Sequence, residues 1–146
     1  MANEKVFRTW LKDKLSEFAF VTKIESFTVS GIPDLHTIHN GKDVWIETKS
    51  IDGLAIKMRV AQWGWMRSFV AEQRGNHVLA IQRPKVGEKR PRTVIDMYRG
   101  TTLLSASKQI VGADMSWDNT LKPDFSFTQP ASKEVIEELV RFLYGA

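Results

Sequence analysis

The segment "GIPDLHTIHNGKDVWIETKS", Gly31 to Ser50, carries the clearest structural signal in the chain. Asn40-Gly41 separates two short runs with apolar alternation, and this dipeptide is typical of a two-residue type I′ hairpin turn, which needs positive φ at both positions. With these two residues as the loop, Asp34 faces Glu47 across the hairpin. Facing side chains lie about 4.5–5.5 Å apart, so two carboxylates there repel each other. The sequence therefore predicts a hairpin with an acidic pair that a cation would stabilise.

Length and composition favour one compact domain spanning residues 1–146. The chain is 42% hydrophobic, which is enough for a real core. It has neither a run of about 18 apolar residues nor the apolar core of a secretory signal near its N-terminus, so we expect no membrane association. It contains no cysteine, which excludes disulfides and thiolate metal sites and fits the cytoplasm. A bound metal would therefore be a hard cation with oxygen ligands.

The positive charge is concentrated in one segment. The net charge of the chain is +4, and "RPKVGEKRPR", residues 83–92, holds five basic residues and one acidic residue, a net of +4 by itself. Such a segment is typical of contact with a polyanion such as nucleic acid, although an ordinary solvated loop has the same composition. The expected nucleic-acid contacts are Lys85, Lys89, Arg90 and Arg92 in this segment, and Lys57, Arg59 and Arg67 beside the second helix.

Hydrophobic periodicity predicts an α/β order. We expect an α-β-β-β-α-β core with a mixed central sheet flanked by helices, followed by a further strand and a terminal helix that Ser132 caps. Residues 105–130 show no clear pattern. The predicted helices are 3–19, 59–74 and 132–145, and the predicted strands are 18–30, about 34–39, about 43–49, 77–82 and 93–98.

The third strand places chemically useful side chains on one face. Alternation puts Trp45, Glu47 and Lys49 together, with Lys49 roughly 7 Å beyond Glu47 on the side of Asp34. Two carboxylates in register can bind Mg²⁺ or Mn²⁺, and a neighbouring lysine can orient a water or stabilise a developing negative charge. The alternative is an exposed Asp at a strand start beside an ordinary Glu–Lys surface pair.

These residues resemble a known motif. "PD", twelve residues and "ETK" resembles the PD-(D/E)XK nuclease superfamily, whose restriction-endonuclease-like core has this element order. "MRVAQWGWMRSFVAEQRGNHVLAI" is similar to the helix and strand that follow the motif in VRR-NUC and related small phage endonucleases, which include Holliday-junction-resolvase-like proteins. In those proteins a Gln begins the helix. The resemblance covers roughly residues 3–100 and leaves 101–146 as a C-terminal extension.

The resemblance implies metal-dependent hydrolysis of a phosphodiester bond in DNA. Asp34, Glu47 and the backbone carbonyl of Thr48 would be ligands of Mg²⁺ or Mn²⁺. Lys49 would position or polarise the attacking water, and Gln62 would project from the start of the second helix toward the site.

The family often adds a glutamate from the first helix. Glu4 is the residue we expect in that role, both as a metal ligand and in catalysis, because it lies at the end of the core-facing stripe. The alternatives are Glu17, on the polar side of the helix, and Glu25, on the first strand.

The small size of the chain favours structure-selective cutting of branched or nicked DNA. Cutting two strands favours a homodimer, and a phage-encoded protein would act in the host cytoplasm. Two other functions stay open: a catalytically silent nucleic-acid-binding module of the same fold, and a protein–protein adaptor with an incidental acidic pair.

Overall fold

The computed structural model describes residues 3–25, 30–73, 76–85, 87–89 and 92–145. These residues form four helices and nine strands, most of them near their predicted positions. In chain order the elements are α1 (Glu4–Leu15), β1 (Phe20–Lys23), β2 (Leu35–His39), β3 (Lys42–Ser50), β4 (Ile56–Arg59), α2 (Val60–Gln73), β5 (Asn76–Pro84), β6 (Thr93–Arg99), α3 (Gly100–Ser105), β7 (Lys108–Val111), β8 (Asp114–Trp117), β9 (Phe125–Gln129) and α4 (Lys133–Tyr144).

The central sheet is mixed, as predicted. Its six strands lie in the order β1-β2-β3-β5-β6-β9. Among the paired strands of this sheet, only β3 and β5 run parallel to each other. The connection through α2 returns the chain to the end of the sheet at which β3 began. A second sheet of three antiparallel strands, in the order β4-β8-β7, was not predicted.

The Asn-Gly hairpin has the predicted turn and register. Asn40 and Gly41 have φ values of 49° and 76°, the positive values that a type I′ turn requires. Pairing of β2 with β3 ends at Leu35 opposite Ile46, whereas β3 continues alongside β5 as far as Ser50. The last four residues of β3 therefore lie beyond the end of β2, and this divergence opens the sheet at the acidic pair.

Both faces of the central sheet are covered. Alternate residues of β5 divide between two apolar clusters, with Val78 and Ala80 on one side and Leu79 and Ile81 on the other. Helices α1 and α4 complete the first cluster, while α2, α3 and the second sheet complete the second. Burial on both faces explains why β5 is an almost continuous apolar run in the sequence.

Several predicted boundaries were wrong. Helix α1 ends at Leu15 rather than at residue 19, β1 covers only four of the expected residues, and residues 26–29 lie outside the described ranges. A short strand, β4, precedes α2, and residue 74, the predicted end of this helix, also lies outside those ranges. The Ser132 cap of α4 is confirmed, since its side chain accepts a hydrogen bond from the backbone N–H of Val135.

Residues after 100 belong to the same packed structure as the motif-bearing part. Strand β9 extends the central sheet by pairing with β6, and α4 contributes Leu139 and Leu143 to the same cluster as α1. In the part of the chain that the structure describes, no helix is long and apolar enough to cross a membrane.

Gly31 allows the segment before β2 to approach the start of α2. Its φ is +83°, and a Cβ built there would overlap the backbone carbonyl of Ala61 and lie 2.8 Å from the amide nitrogen of Gln62. A side chain at this position therefore meets both a strained backbone and a rigid obstacle, because the atoms in the way belong to the helix backbone. Gly31 thus brings Asp34 and Gln62 into the same neighbourhood.

Replacing Gly31 should destabilise the fold, while the same change in the adjacent helix should not. Gly31→Ala should lower the unfolding free energy by at least about 1–2 kcal/mol, the strain of an L-residue at positive φ. Gly64→Ala is the matched control, because a Cβ at Gly64 meets nothing within 4 Å. That change should raise stability by up to about 1 kcal/mol, the usual gain in a helix interior. Urea unfolding of the two variants measures the difference, and equal effects would contradict the close approach.

Candidate active site

The site forms where β2 stops and β3 continues. The carboxylate of Asp34 replaces the missing strand partner: its Oδ2 accepts hydrogen bonds from the backbone N–H of Thr48 at 2.9 Å and from the Thr48 hydroxyl at 2.7 Å. Thr48 is fully buried, so its amide needs a partner that water cannot supply. Asp34 therefore terminates the hairpin and at the same time lies next to the end of β3.

Glu47 is the buried acid of the site. Only 2% of Glu47 is exposed to solvent. Its Oε2 accepts a hydrogen bond of 2.7 Å from Nε2 of Gln62, at the start of α2. The Oε1 atom of Glu47 is buried and has no hydrogen-bond partner among the described residues. Gln62 is itself held, because its Oε1 accepts from the backbone N–H of Arg59 at 3.0 Å. Gln62 thus projects from the start of α2 onto Glu47.

Two cations of the chain accompany the acidic pair. Lys49 Nζ lies 4.0 Å from Glu47 Oε2, with 16% of its side chain exposed. Arg8 of α1 lies 3.5 Å from Asp34 Oδ1. The two facing carboxylates predict a nearby cation, but the sequence pattern does not single out Arg8 for this place. The available signal was its place beside Phe7 in the core-facing stripe of α1, which directs that part of the helix toward the sheet.

Burial and charge act together on Glu47. Burial raises the pKa of Glu47 well above its usual value of 4.5, and the negative charge of Asp34 adds to the rise. The ammonium of Lys49 lowers the pKa of this carboxyl, while the charge of Glu4 raises it further. The surroundings of Glu47 therefore disfavour its ionised form, and an added positive charge would favour it.

The donor set fits a hard divalent cation. A cation between the carboxylates would give the buried Oε1 of Glu47 a partner and would remove the repulsion that raises its pKa. Among the residues described, no three His, Asp or Glu side chains converge into a preformed cage, so Asp34 and Glu47 would be the principal protein ligands.

The first-helix glutamates occupy different places. Glu4 is exposed in the first turn of α1, and its charge acts on Glu47. Glu17 is exposed just after α1 ends, and Glu25 pairs with Lys23 at 3.2 Å after β1. Coordination by Glu4 and by the carbonyl of Thr48 stays a prediction.

The basic segment, residues 83–92, is partly neutralised by its own Glu88 and by Asp96 of β6. Arg83 is buried, where its Nε lies 3.1 Å from Asp96 Oδ2 and its Nη1 donates to the carbonyl of Gly53 at 2.8 Å. Arg92 and Lys85 both pair with Glu88, at 2.7 Å and 3.6 Å. The hydrogen bond from Arg92 lowers the pKa of Glu88 to about 2.

The remaining predicted contacts lie in different surroundings. Lys89 is exposed and Arg90 lies outside the described ranges. Lys57 and Arg59 are exposed on β4, and both precede Gln62 in the chain. Lys57 Nζ lies 3.9 Å from Asp114 Oδ2. The guanidinium of Arg67 lies over the ring of Trp63, 5.0 Å from its centroid. The cations of β4 are thus nearer in sequence to the acidic pair than those of the segment after β5.

Aromatic side chains pack beside the site. Trp63 packs against the second apolar cluster, which includes Met66 and Val70 of the same helix. Trp45, on the same strand face as Glu47, packs against Trp65 with centroids 5.1 Å apart and against His36 at 4.3 Å.

The sequence matches no protein-family model and no curated protein. Among solved structures, the chain is similar to Hjc, a Holliday junction resolvase from the archaeal hyperthermophile Archaeoglobus fulgidus, whose structure was determined at 1.6 Å resolution. The TM-score is 0.56 and the identity 12%, and the match covers 80% of this chain and 84% of that one. The chain has a restriction-endonuclease-like α/β fold, with a mixed central sheet flanked by helices. The likeness is one of fold.

The raised pKa of Glu47 predicts a distinctive pH dependence without divalent metal. The folded protein holds the Glu47 proton more tightly than the unfolded chain does, so this contribution to stability is complete below about pH 4.5 and is lost as the pH rises through the raised pKa. Glu47→Gln stays neutral and should not show the loss. Urea unfolding of both proteins in EDTA, from about pH 4 to about pH 8, measures the difference.

A second titrating group cancels in this comparison. Burial lowers the pKa of His77 to about 3, and this acts equally in the wild type and in Glu47→Gln. Parallel stability curves for the two proteins would mean that the Glu47 carboxylate is not destabilised by its surroundings.

Proposed function

We propose that the chain is an endonuclease that depends on a divalent metal and hydrolyses phosphodiester bonds in DNA, with branched or nicked DNA as its substrate. The observation that carries this proposal is the buried Glu47 carboxylate, which has one oxygen held by Gln62, the other without a partner, and Asp34 and Lys49 beside it. A buried carboxylate left in this state is costly for folding alone. The fold shared with a Holliday junction resolvase supports the same proposal.

Asp34 and Glu47 would hold the cation, with Glu4 and the carbonyl of Thr48 as further ligands. Mg²⁺ or Mn²⁺ bound there would supply Lewis acidity toward the phosphate and a water of lowered pKa. The hydrogen bond from Gln62 fixes the orientation of Glu47, so that its free oxygen keeps one direction. The hydrogen bonds from Thr48 fix Asp34 in the same way.

Lys49 acts on the substrate rather than on the cation, because an ammonium has only donors. At the end of β3 it can donate to the attacking water or to a phosphate oxygen, and its charge stabilises the negative charge that develops during hydrolysis. Its half-buried position strengthens this interaction relative to a fully solvated lysine.

Duplex DNA would reach the site along the exposed cations of β4. Lys57 and Arg59 lie five and three positions before Gln62 in the chain. The β5–β6 hairpin extends from the same end of the parallel strands as Lys49. One chain holds one such site, so cutting both strands would use two copies arranged about a twofold axis.

A catalytically silent DNA-binding module is the second candidate function. Arg8 favours it, because an ion pair of 3.5 Å already neutralises the Asp34 oxygen that a metal would use. In that case Arg8 and Lys49 would neutralise the charges of Asp34 and Glu47 without a metal.

Substitutions at the acidic pair and at Lys49 should have separable effects. Asp34→Asn and Glu47→Gln should abolish both Mn²⁺ binding and metal-dependent cleavage, since each removes charge that holds the cation. Lys49→Ala should keep Mn²⁺ binding and lose cleavage by about 100-fold or more, the usual size of an electrostatic contribution to a transition state. Glu17→Gln is the control, because Glu17 is an exposed acid outside the site.

The measurements are Mn²⁺ calorimetry and cleavage of supercoiled, linear, single-stranded and four-way-junction DNA. Cleavage by Glu47→Gln at the wild-type rate would contradict the assignment of the site. Absence of Mn²⁺ binding and of cleavage in the wild type, with DNA binding retained, would establish the silent module instead.

The salt dependence of DNA binding should identify which cations contact phosphate. Each lost phosphate contact flattens the slope of log affinity against log salt by about 0.9 on duplex DNA. Replacing Lys57 and Arg59 with Gln should therefore flatten it by up to about 1.8. Replacing Lys85 and Arg92 should have less effect, because Glu88 pairs with both, at 3.6 Å and 2.7 Å, whereas Asp114 pairs with Lys57 at 3.9 Å. Binding in Ca²⁺ across a salt series measures both, and the reverse order would place the DNA along the β5–β6 hairpin.

A further inference from the structure

The tip of the β7–β8 hairpin exposes two adjacent aliphatic side chains. Ile110 is 63% exposed and Val111 is 55% exposed. In the ladder Ile110 pairs with Met115 and Val111 pairs with Asp114, so the two side chains project from opposite faces of the ribbon. A single exposed aliphatic residue is common, but two neighbours at the end of a well-paired hairpin form an apolar edge. The fold leaves this edge uncovered.

Hydrogen bonds connect this hairpin to the candidate active site. The carbonyl of Ala113, in the hairpin turn, accepts from the backbone N–H of Val60 at 3.0 Å. Val60 is the first residue of α2, and Gln62 in the same turn donates to Glu47. Only one residue of the helix, Ala61, therefore separates the residue that contacts the hairpin from the residue that contacts the buried acid.

The apolar edge lies beside two cations and one acid: Arg59 and Lys57 on β4, and Asp114 on β8, whose Oδ2 lies 3.9 Å from Lys57 Nζ. The net charge of these three residues is therefore positive. In the strand register Arg59 lies opposite Asp114, and Asp114 lies opposite Val111. These three residues therefore form one row across the outer face of the second sheet. Lys57 lies on the same face of β4. A partner that is anionic outside and apolar between its stacked bases fits both features, whereas an apolar protein partner would have to desolvate these cations.

We propose that the β7–β8 hairpin is a wedge that places Ile110 and Val111 against the bases of DNA at a weakly stacked step, such as a branch point, next to the bond that is cut. This inference rests on the proposed function and deepens it by giving the basis of selectivity for branched DNA. Proteins that bend DNA insert aliphatic side chains between base steps in this way. An interrupted duplex loses less stacking at such a step, so the wedge would favour branched over linear DNA.

The experiment uses a four-way junction with 2-aminopurine at the branch, bound in Ca²⁺ so that no cutting occurs. Wild-type binding should raise the fluorescence, because the probe base leaves its stack. The double variant Ile110→Thr and Val111→Thr keeps β-branched side chains and so keeps the ribbon. It should abolish the rise and lower the junction-cleavage rate by about tenfold or more, because three aliphatic carbons are lost and two hydroxyls are gained. Gln109→Thr, an exposed substitution on the same strand, is the control and should change neither measurement.

The outcomes separate the wedge from the nuclease activity. An unchanged fluorescence rise in the double variant overturns the wedge, and so does a wild type that cuts the junction without any rise. A double variant whose mass by sedimentation differs from that of the wild type assigns the apolar edge to self-association and overturns the wedge. A wild type that neither binds nor cuts any DNA removes the proposed function and the wedge with it.

Discussion

The hydrogen bond between Gln62 and Glu47 connects the two halves of the site. It joins the last part of β3 to the first turn of α2, and Glu47 is otherwise a buried charge with a raised pKa. The bond needs the helix start to lie close to the sheet, which the glycine at position 31 permits. It also orients one carboxylate oxygen toward protein and leaves the other for a ligand. The close approach at Gly31 and the buried carboxylate of Glu47 therefore lie in one small region of the fold.

The residues of the hairpin were predictable because their geometry is local. An Asn-Gly turn fixes the register of both strands, and the period of two then decides which side chains share a face. Asp34, Glu47 and Lys49 follow from that alone. Gln62 was found through the resemblance rather than through periodicity, since a helix-surface glutamine has no signal of its own. Arg8 was missed, because the partner of a helical arginine depends on how the helix packs on the sheet.

The second half of the chain was harder to interpret for a related reason. Strands β4, β7 and β8 have four residues each, and their pairing joins positions near 57 with positions near 115. Patterns so short carry little periodic signal, and partners so distant leave no trace in local sequence. The basic segment shows the opposite difficulty. Its basic residues are evident in the sequence, but Glu88 and Asp96 neutralise three of them. Only the folded chain shows that these three are Arg83, Lys85 and Arg92.

The place of α4 in the core has a consequence for synthesis on the ribosome. Leu143 and Tyr144 are buried against α1 and the hairpin, and the Tyr144 hydroxyl donates to Thr37, 107 positions earlier. Until Tyr144 has left the ribosome, the nascent chain must hold one side of its central sheet exposed, with the Thr37 hydroxyl lacking this donor. Because contacts this distant close last, this face of the sheet can be covered only after α4 has emerged, well after residues 34–49. Chaperones that bind exposed sheet faces would therefore meet this protein after its acidic pair is already outside the ribosome.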